Sequence, residues 1–160
     1  MLLTGSYVRS VDEKLRVALP KRLRESLDCP VGGSLYVALG TDGSLAIYTE
    51  EAFARWGERL QQAPPTQKDV RAFSRLFYAQ AQRVEIDRQG RIRIPAELAA
   101  LISLGSEAVL LGVQDHLELW AADRWRQYLA GQQARYDEIA EAALGASHTA
   151  GPPGRSAQAP

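Results

Sequence analysis

Asp12 and Arg16 stand four residues apart, and the same pair returns as Asp87 and Arg91. Each pair opens a block that a proline closes, "DEKLRVALP" over 12–20 and "DRQGRIRIP" over 87–95, at a constant offset of 75. An aspartate at the head of a short turn can accept backbone N–H bonds from one or two residues further on, and a glycine ahead of the next strand supplies a positive φ at little steric cost. The arginine then has two uses. It can close on the aspartate and staple the turn, or it can project with neighbouring basic residues toward phosphates or a guanine edge. The second block has both Asp87 and Gly90, whereas the first has Asp12 but carries Leu15 at the glycine position. Leu15 must hold a left-handed backbone, at about 1–2 kcal/mol, or the turn must take another shape.

The elements that must hold these residues also come twice. "GSYVRSV" and "QRVEI" suit a strand, the two Asp blocks a turn, and "RVAL" and "RIRI" a second strand, so each copy reads as a hairpin with a basic edge. Pro20 and Pro95 fit the first position of a short helix, with Leu23 and Leu27, and Leu98, Leu101 and Ile102, as its apolar stripe. "SLYVAL", "SLAIY", "EAVLLGV" and "HLELW" follow as further strands, turned at "TDG" and "QD", and helices begin near Glu50 and Asp123. "SLAIYTEEAFARW" can be laid on "HLELWAADRWRQY" at an offset of 72, which supports duplication of one unit. Between the copies, "QQAPPT" breaks the chain before a linker helix with Thr66 and Asp69 as a capping box and Val70, Phe73 and Phe77 on one face. The expected organisation is a first unit over 1–62, a linker helix over 63–80, a second unit over 81–130, a C-terminal helix over 131–144 and a disordered tail over 145–160.

Composition narrows the function. With 46% hydrophobic and 24% charged residues in 160, the chain can bury a real core. One cysteine, Cys29, forms no internal disulfide, no Cys/His cluster has zinc spacing, and no long apolar run suggests a signal peptide or membrane span. A cytoplasmic protein is expected. Nineteen basic residues balance nineteen acidic ones, which argues against coating nucleic acid by bulk charge. The basic excess is local and lies on the repeated blocks, at Arg9, Lys14, Arg16, Lys21, Arg22 and Arg24 against Asp12 and Glu13, and at Arg83, Arg88, Arg91 and Arg93 against Glu85 and Asp87.

The duplicated block, the opening "TGSYVRSVDEKLRVALPKRLRESL", "LAIYTEEAFARW" and "VLLGVQDHLELWAADRW" together resemble the MraZ family of bacterial transcriptional regulators. The resemblance covers residues 1 to about 144. It implies an α+β, β-rich fold of two fused AbrB-like swapped-hairpin units with short helices, related by an internal pseudo-two-fold. It also implies a ring-shaped homo-oligomer, associated with the nucleoid, that binds short direct repeats of double-stranded DNA in the promoter of the division and cell-wall gene cluster, usually as a repressor. Carried over by position, the DNA-binding set is Arg9, Lys14, Arg16, Lys21, Arg22, Arg88, Arg91 and Arg93, with Asp12, Asp87 and Gly90 organising the turns; the first copy carries the main contact. Leu15 departs from the family pattern, which has glycine. No cofactor, metal or small-molecule substrate is expected.

Two rivals come from other classes. Duplicated aspartates could form an acid–base pair in a hydrolase, but a following arginine in each copy favours both charged carboxylates, whereas such a pair needs one of them protonated. The chain could instead be a ring-forming scaffold without a DNA target. For the ring itself, Phe73, Phe77, Tyr136 and Ile139 could form the subunit contacts or belong to the intramolecular core. Cys29 has no evident base beside it, and no Ser–His–Asp spacing or phosphate-cradling glycine motif is present. Trp56, Trp120 and Trp125 read as core anchors rather than base-stacking platforms.

Overall fold

Short strands with one apolar face must find a partner to cover it, and here each copy finds it in the other. The computed structural model describes residues 1–145. In chain order the first copy supplies β1 (Ser6–Ser10), β2 (Arg16–Ala18), α1 (Lys21–Ser26), β3 (Ser34–Leu39), β4 (Leu45–Tyr48) and α2 (Glu50–Gln61). After α3 (Lys68–Gln80) the second supplies β5 (Gln82–Glu85), β6 (Arg91–Arg93), α4 (Ala96–Leu101), β7 (Glu107–Val113), β8 (His116–Ala121) and α5 (Ala122–Gln133), and α6 (Tyr136–Gly145) follows. The chain divides into one compact unit over 1–125 and another that begins at Arg126.

The expected hairpin within each basic block does not form. β1 pairs with β7 and β5 with β3, so each opening strand joins the other copy's sheet, while β2 pairs with β6 across the copies. A single bridge, Val11 to Val17, is what remains of a β1–β2 pairing. The exchange matches the swapped-hairpin arrangement that the resemblance implies. It produces a six-stranded antiparallel sheet, β1-β7-β8-β4-β3-β5, and a separate two-stranded ribbon, β2-β6. Both are centred on equivalent residues: Ala46 opposes Glu118 midway along β4-β8, and Val17 opposes Ile92 midway along the ribbon.

The ribbon is held from below. Val17 and Ile92 turn inward and are fully buried, in a core with Leu35, Val37, Ile47, Leu110, Leu117 and Leu119 of the large sheet. Leu23 of α1 with Leu27 at its C-cap, and Leu98 of α4 with Ile102 at its C-cap, close its sides. Fully burying an aliphatic side chain contributes about 1.5–3 kcal/mol, and here both copies contribute to one core, so neither retains that energy alone. On the sheet's other face Phe53 of α2 stacks on Tyr36 at 4.6 Å, with Phe77 of α3 at 5.6 Å. Trp125 packs edge-on against the buried Trp120 at 5.3 Å. The tryptophans serve packing here, with Trp56 half-buried against the same aromatic cluster as Phe77.

Several local expectations shift. Pro20 and Pro95 sit at the N-caps of α1 and α4, one residue before the first helical turn. Leu101 is exposed and leaves the α4 stripe to Leu98 and Ile102. The Thr66–Asp69 capping box does not form; Gln67 caps α3 without a side-chain bond, whereas Thr49 Oγ1 caps α2 by accepting from the Ala52 N–H at 3.1 Å. Phe77, offered as a subunit contact, is only 4% exposed and belongs to the intramolecular core, while Phe73 is 40% exposed. Gly145, assigned to the tail, closes α6; the rest of that segment, 146–160, lies outside the described residues. No helix among the described residues is long and apolar enough to cross a membrane.

Candidate nucleic-acid interface

In each turn the aspartate is saturated by its own loop. Asp12 Oδ1 accepts from the backbone N–H of Lys14 at 3.0 Å and of Arg16 at 2.9 Å, and Oδ2 accepts from Arg16 Nε at 2.6 Å. Asp87 repeats the pattern with Gln89, Arg91 and Arg91 Nε, each at 2.9 Å. Backbone bonds close both loops identically, Leu15 N–H to the Asp12 carbonyl and Gly90 N–H to the Asp87 carbonyl, each at 2.9 Å. The backbone N–H and side chain of Arg16, with the Lys14 N–H, hold Asp12 below the usual carboxylate range; Arg91 and Gln89 do the same for Asp87. Neither carboxyl keeps a proton near neutral pH, as the sequence predicts.

Stapling the turn engages only the Nε edge of each arginine. Arg16 and Arg91 stay 32% and 26% exposed, so their guanidinium groups stand at the surface and are not entombed. Arg91 Nη1 also lies 3.8 Å from Asp12 Oδ2, an ion pair that links the two copies. The stapling and projecting readings are therefore compatible. The same fork that orders the loop retains donors at its outer end.

The ribbon decides what shares a face. Val17 and Ile92 point inward, so Arg16, Ala18, Arg91 and Arg93 point outward, with Arg16 opposite Arg93 and Ala18 opposite Arg91. The turns lie at opposite ends, and each is tied to the other copy: the Leu15 carbonyl accepts from the Ile94 N–H at 2.8 Å, and the Gly90 carbonyl from the Leu19 N–H at 2.9 Å. Lys14 and Arg88 are exposed on the turn tips, and Lys21 and Arg22 open α1 at the surface. Arg9 is not part of the ribbon. It lies on β1 at the edge of the large sheet, over the Tyr7 ring at 5.8 Å, with Nη1 donating to the Val8 carbonyl at 2.8 Å.

Leu15 adopts the left-handed backbone, φ 60°, against 75° at Gly90. Its side chain fills a space that the second turn fills differently. A Cβ at Gly90 would meet Arg24 Cζ at 2.9 Å, because the Arg24 guanidinium lies over that glycine. The position equivalent to Arg24 in α4 is Ala99, which is buried, and Leu15 packs against the core that contains it. At these equivalent positions the first turn has leucine with alanine and the second has glycine with arginine. Arg24 carried no assigned role from sequence, and its charge alone gave no sign of this contact.

Burial pushes the Cys29 thiol up, and among the described residues no group of three or more His, Cys, Asp and Glu is placed to hold a metal ion.

The description "MraZ protein, putative antitoxin-like" matches residues 2–76 and again 77–146. The chain is 40% identical over 137 residues to the transcriptional regulator MraZ of Ligilactobacillus salivarius (strain UCC118), covering 86% of this chain and 93% of the relative. It is 39% identical over 138 residues to that of Heliobacterium modesticaldum (strain ATCC 51547 / Ice1), at the same coverage. Duplicated match, duplicated turns and near full-length relatives agree, and the chain belongs to the MraZ family.

Proposed function

We propose that this chain is a transcriptional regulator that binds double-stranded DNA sequence-specifically, and that it represses the division and cell-wall gene cluster through short direct repeats in the promoter. The observation that carries the reading is the pair of aspartate-ordered turns on one outward ribbon face, each with a surface arginine whose outer edge can reach an anion or a guanine. One such ribbon spans few base pairs, and a chain of zero net charge attracts DNA weakly over distance. Self-assembly into a ring supplies repetition: several ribbons engage several repeats, and each linked contact raises avidity through effective concentration. Repeats occupied in this way keep RNA polymerase from the promoter. The protein acts in the cytoplasm at the nucleoid and needs no metal, nucleotide or other cofactor.

A labelled duplex carrying tandem promoter repeats tests this against a scrambled duplex. Wild type should prefer the repeats, and the preference should persist as added salt lowers overall affinity. Arg16→Ala and Arg91→Ala should each weaken repeat binding about 10-fold, consistent with roughly 1–3 kcal/mol for a good arginine contact. Equal binding to both duplexes would instead favour a scaffold without a DNA target.

A further inference from the structure

The two ends of the ribbon are built alike and charged differently. Strand exchange places α1 of the first copy beside the second turn, since Leu19 bonds to Gly90 and Arg24 lies over it. By the same exchange α4 of the second copy follows the strand end beside the first turn, where Ile94 bonds to Leu15. Positions 21, 22 and 24 of α1 are Lys, Arg and Arg; their equivalents 96, 97 and 99 are Ala, Glu and Ala. The tips differ too, Arg88-Gln89 on the second turn against Glu13-Lys14 on the first. Counting each turn with its ribbon positions and adjoining helix, the second-turn end has five cations against two carboxylates, and the first-turn end three against three.

We infer that the main DNA-phosphate contact of this chain is a composite surface, made by α1 of the first copy together with the Asp87–Gly90 turn of the second. This rests on the DNA-binding reading above but reverses the order of the two turns, because the resemblance assigns the main contact to the first. Phosphate affinity follows the number of cations that displace condensed counterions, and an end with a net excess of three cations outweighs a neutral end of the same shape. Of its five cations, Lys21 is shared with Glu25 at 3.7 Å and Arg91 with Asp87 at 2.9 Å, which leaves Arg22, Arg24 and Arg88 without a carboxylate within 4.0 Å among the described residues. The first turn, with Glu13 beside Lys14 at its tip, gives phosphate no net attraction where the second attracts it.

Two double variants of the full-length protein compare the ends by removing the same number of surface cations: Arg22→Ala with Arg88→Ala, and Lys14→Ala with Arg93→Ala. On the repeat duplex at moderate salt, the first pair should weaken binding 10-fold or more and reduce the slope of log affinity against log salt by about 1.8, the value for two lost phosphate contacts. The second pair should weaken binding about threefold or less, given a slope change below that of one contact, about 0.9. Unfolding midpoint and oligomer size establish that both pairs remain folded. A gain-of-charge variant keeps the test open if a double variant fails to fold: Glu13→Arg, which copies Arg88 onto the first turn, should strengthen binding severalfold. Equal or reversed losses, or no gain from Glu13→Arg, overturn the composite surface while leaving DNA binding in place. A wild-type protein that does not distinguish repeat from scrambled duplex overturns both.

Discussion

The first and second turns have the same hydrogen bonds and opposite ways of filling the space behind them. Asp12 and Asp87 each gather two backbone N–H groups and one Nε, and each loop ends in a left-handed residue. Behind that residue the first copy places its own Leu15 against a core that includes Ala99, and the second leaves Gly90 bare for Arg24. A turn's local chemistry thus repeats faithfully while its support is free to drift, provided that both partners in the gap change together. The drift also moves charge, because the filler at the second turn is a cation and the filler at the first is apolar.

The largest expected effect tests whether the copies stand alone. Ile92→Ala, in the shared core, should cost about 2–5 kcal/mol and shift a single cooperative urea transition over residues 1–125. Two separate transitions would show that each copy has a core of its own.

The next tests the two fillings. Gly90→Leu forces a side chain onto Arg24 and a left-handed backbone onto leucine, and should destabilise by about 1–3 kcal/mol. Adding Arg24→Ala, which copies the residue types of positions 15 and 99 onto positions 90 and 24, should recover part of that loss in a double-mutant cycle; strict additivity would sink the equivalence. The reverse change is milder. Leu15→Gly relieves a left-handed leucine, worth about 1–2 kcal/mol, but loses half-buried packing of similar size, so its net effect should stay within about 1 kcal/mol.

The smallest effect concerns pH and again separates the copies. His116 occupies the place of the first copy's Ser44; its Nε2 lies 3.8 Å from Glu118 and its Nδ1 2.8 Å from Asp115. Those two carboxylates raise its pKa above the ordinary value of about 6.5. A raised folded value means that this stabilisation is complete below about 6.5 and is lost as pH rises through the folded pKa. Asp12 and Asp87 act in the opposite sense. Their lowered values mean stability present above about 4 and lost as pH falls through the folded pKa. His116 in turn lowers Asp115 and Glu118, so replacing it with Gln should flatten the alkaline limb and remove part of the acid limb as well; an unchanged alkaline limb would contradict the assignment.

The local devices were legible in the sequence because each is set by a few neighbouring residues. Asp followed by Arg at the fourth position specified the loop bonding, the pattern after Glu50 specified a helix, and the repeated phrases specified equivalent strands and helices. The resemblance added the strand exchange, which the hairpin reading of "SYVRSVDEKLRVAL" had missed. Thr66 and Asp69 had suitable spacing for a cap, but the chain enters the helix at Gln67, one residue past Thr66, which leaves Asp69 in the first turn without a capping partner at Thr66.

By itself, then, the sequence determined the turns, their duplication and the alternation that buries Val17 and Ile92. Only the tertiary structure decided which strand each of these met, which helix came to lie beside which turn, and that Arg24 would cover a glycine 66 positions away. Those are contacts between distant segments, chosen by the apolar area that exchange lets both copies bury in one core. Pattern over a few residues records which face a strand must hide, but not which surface hides it.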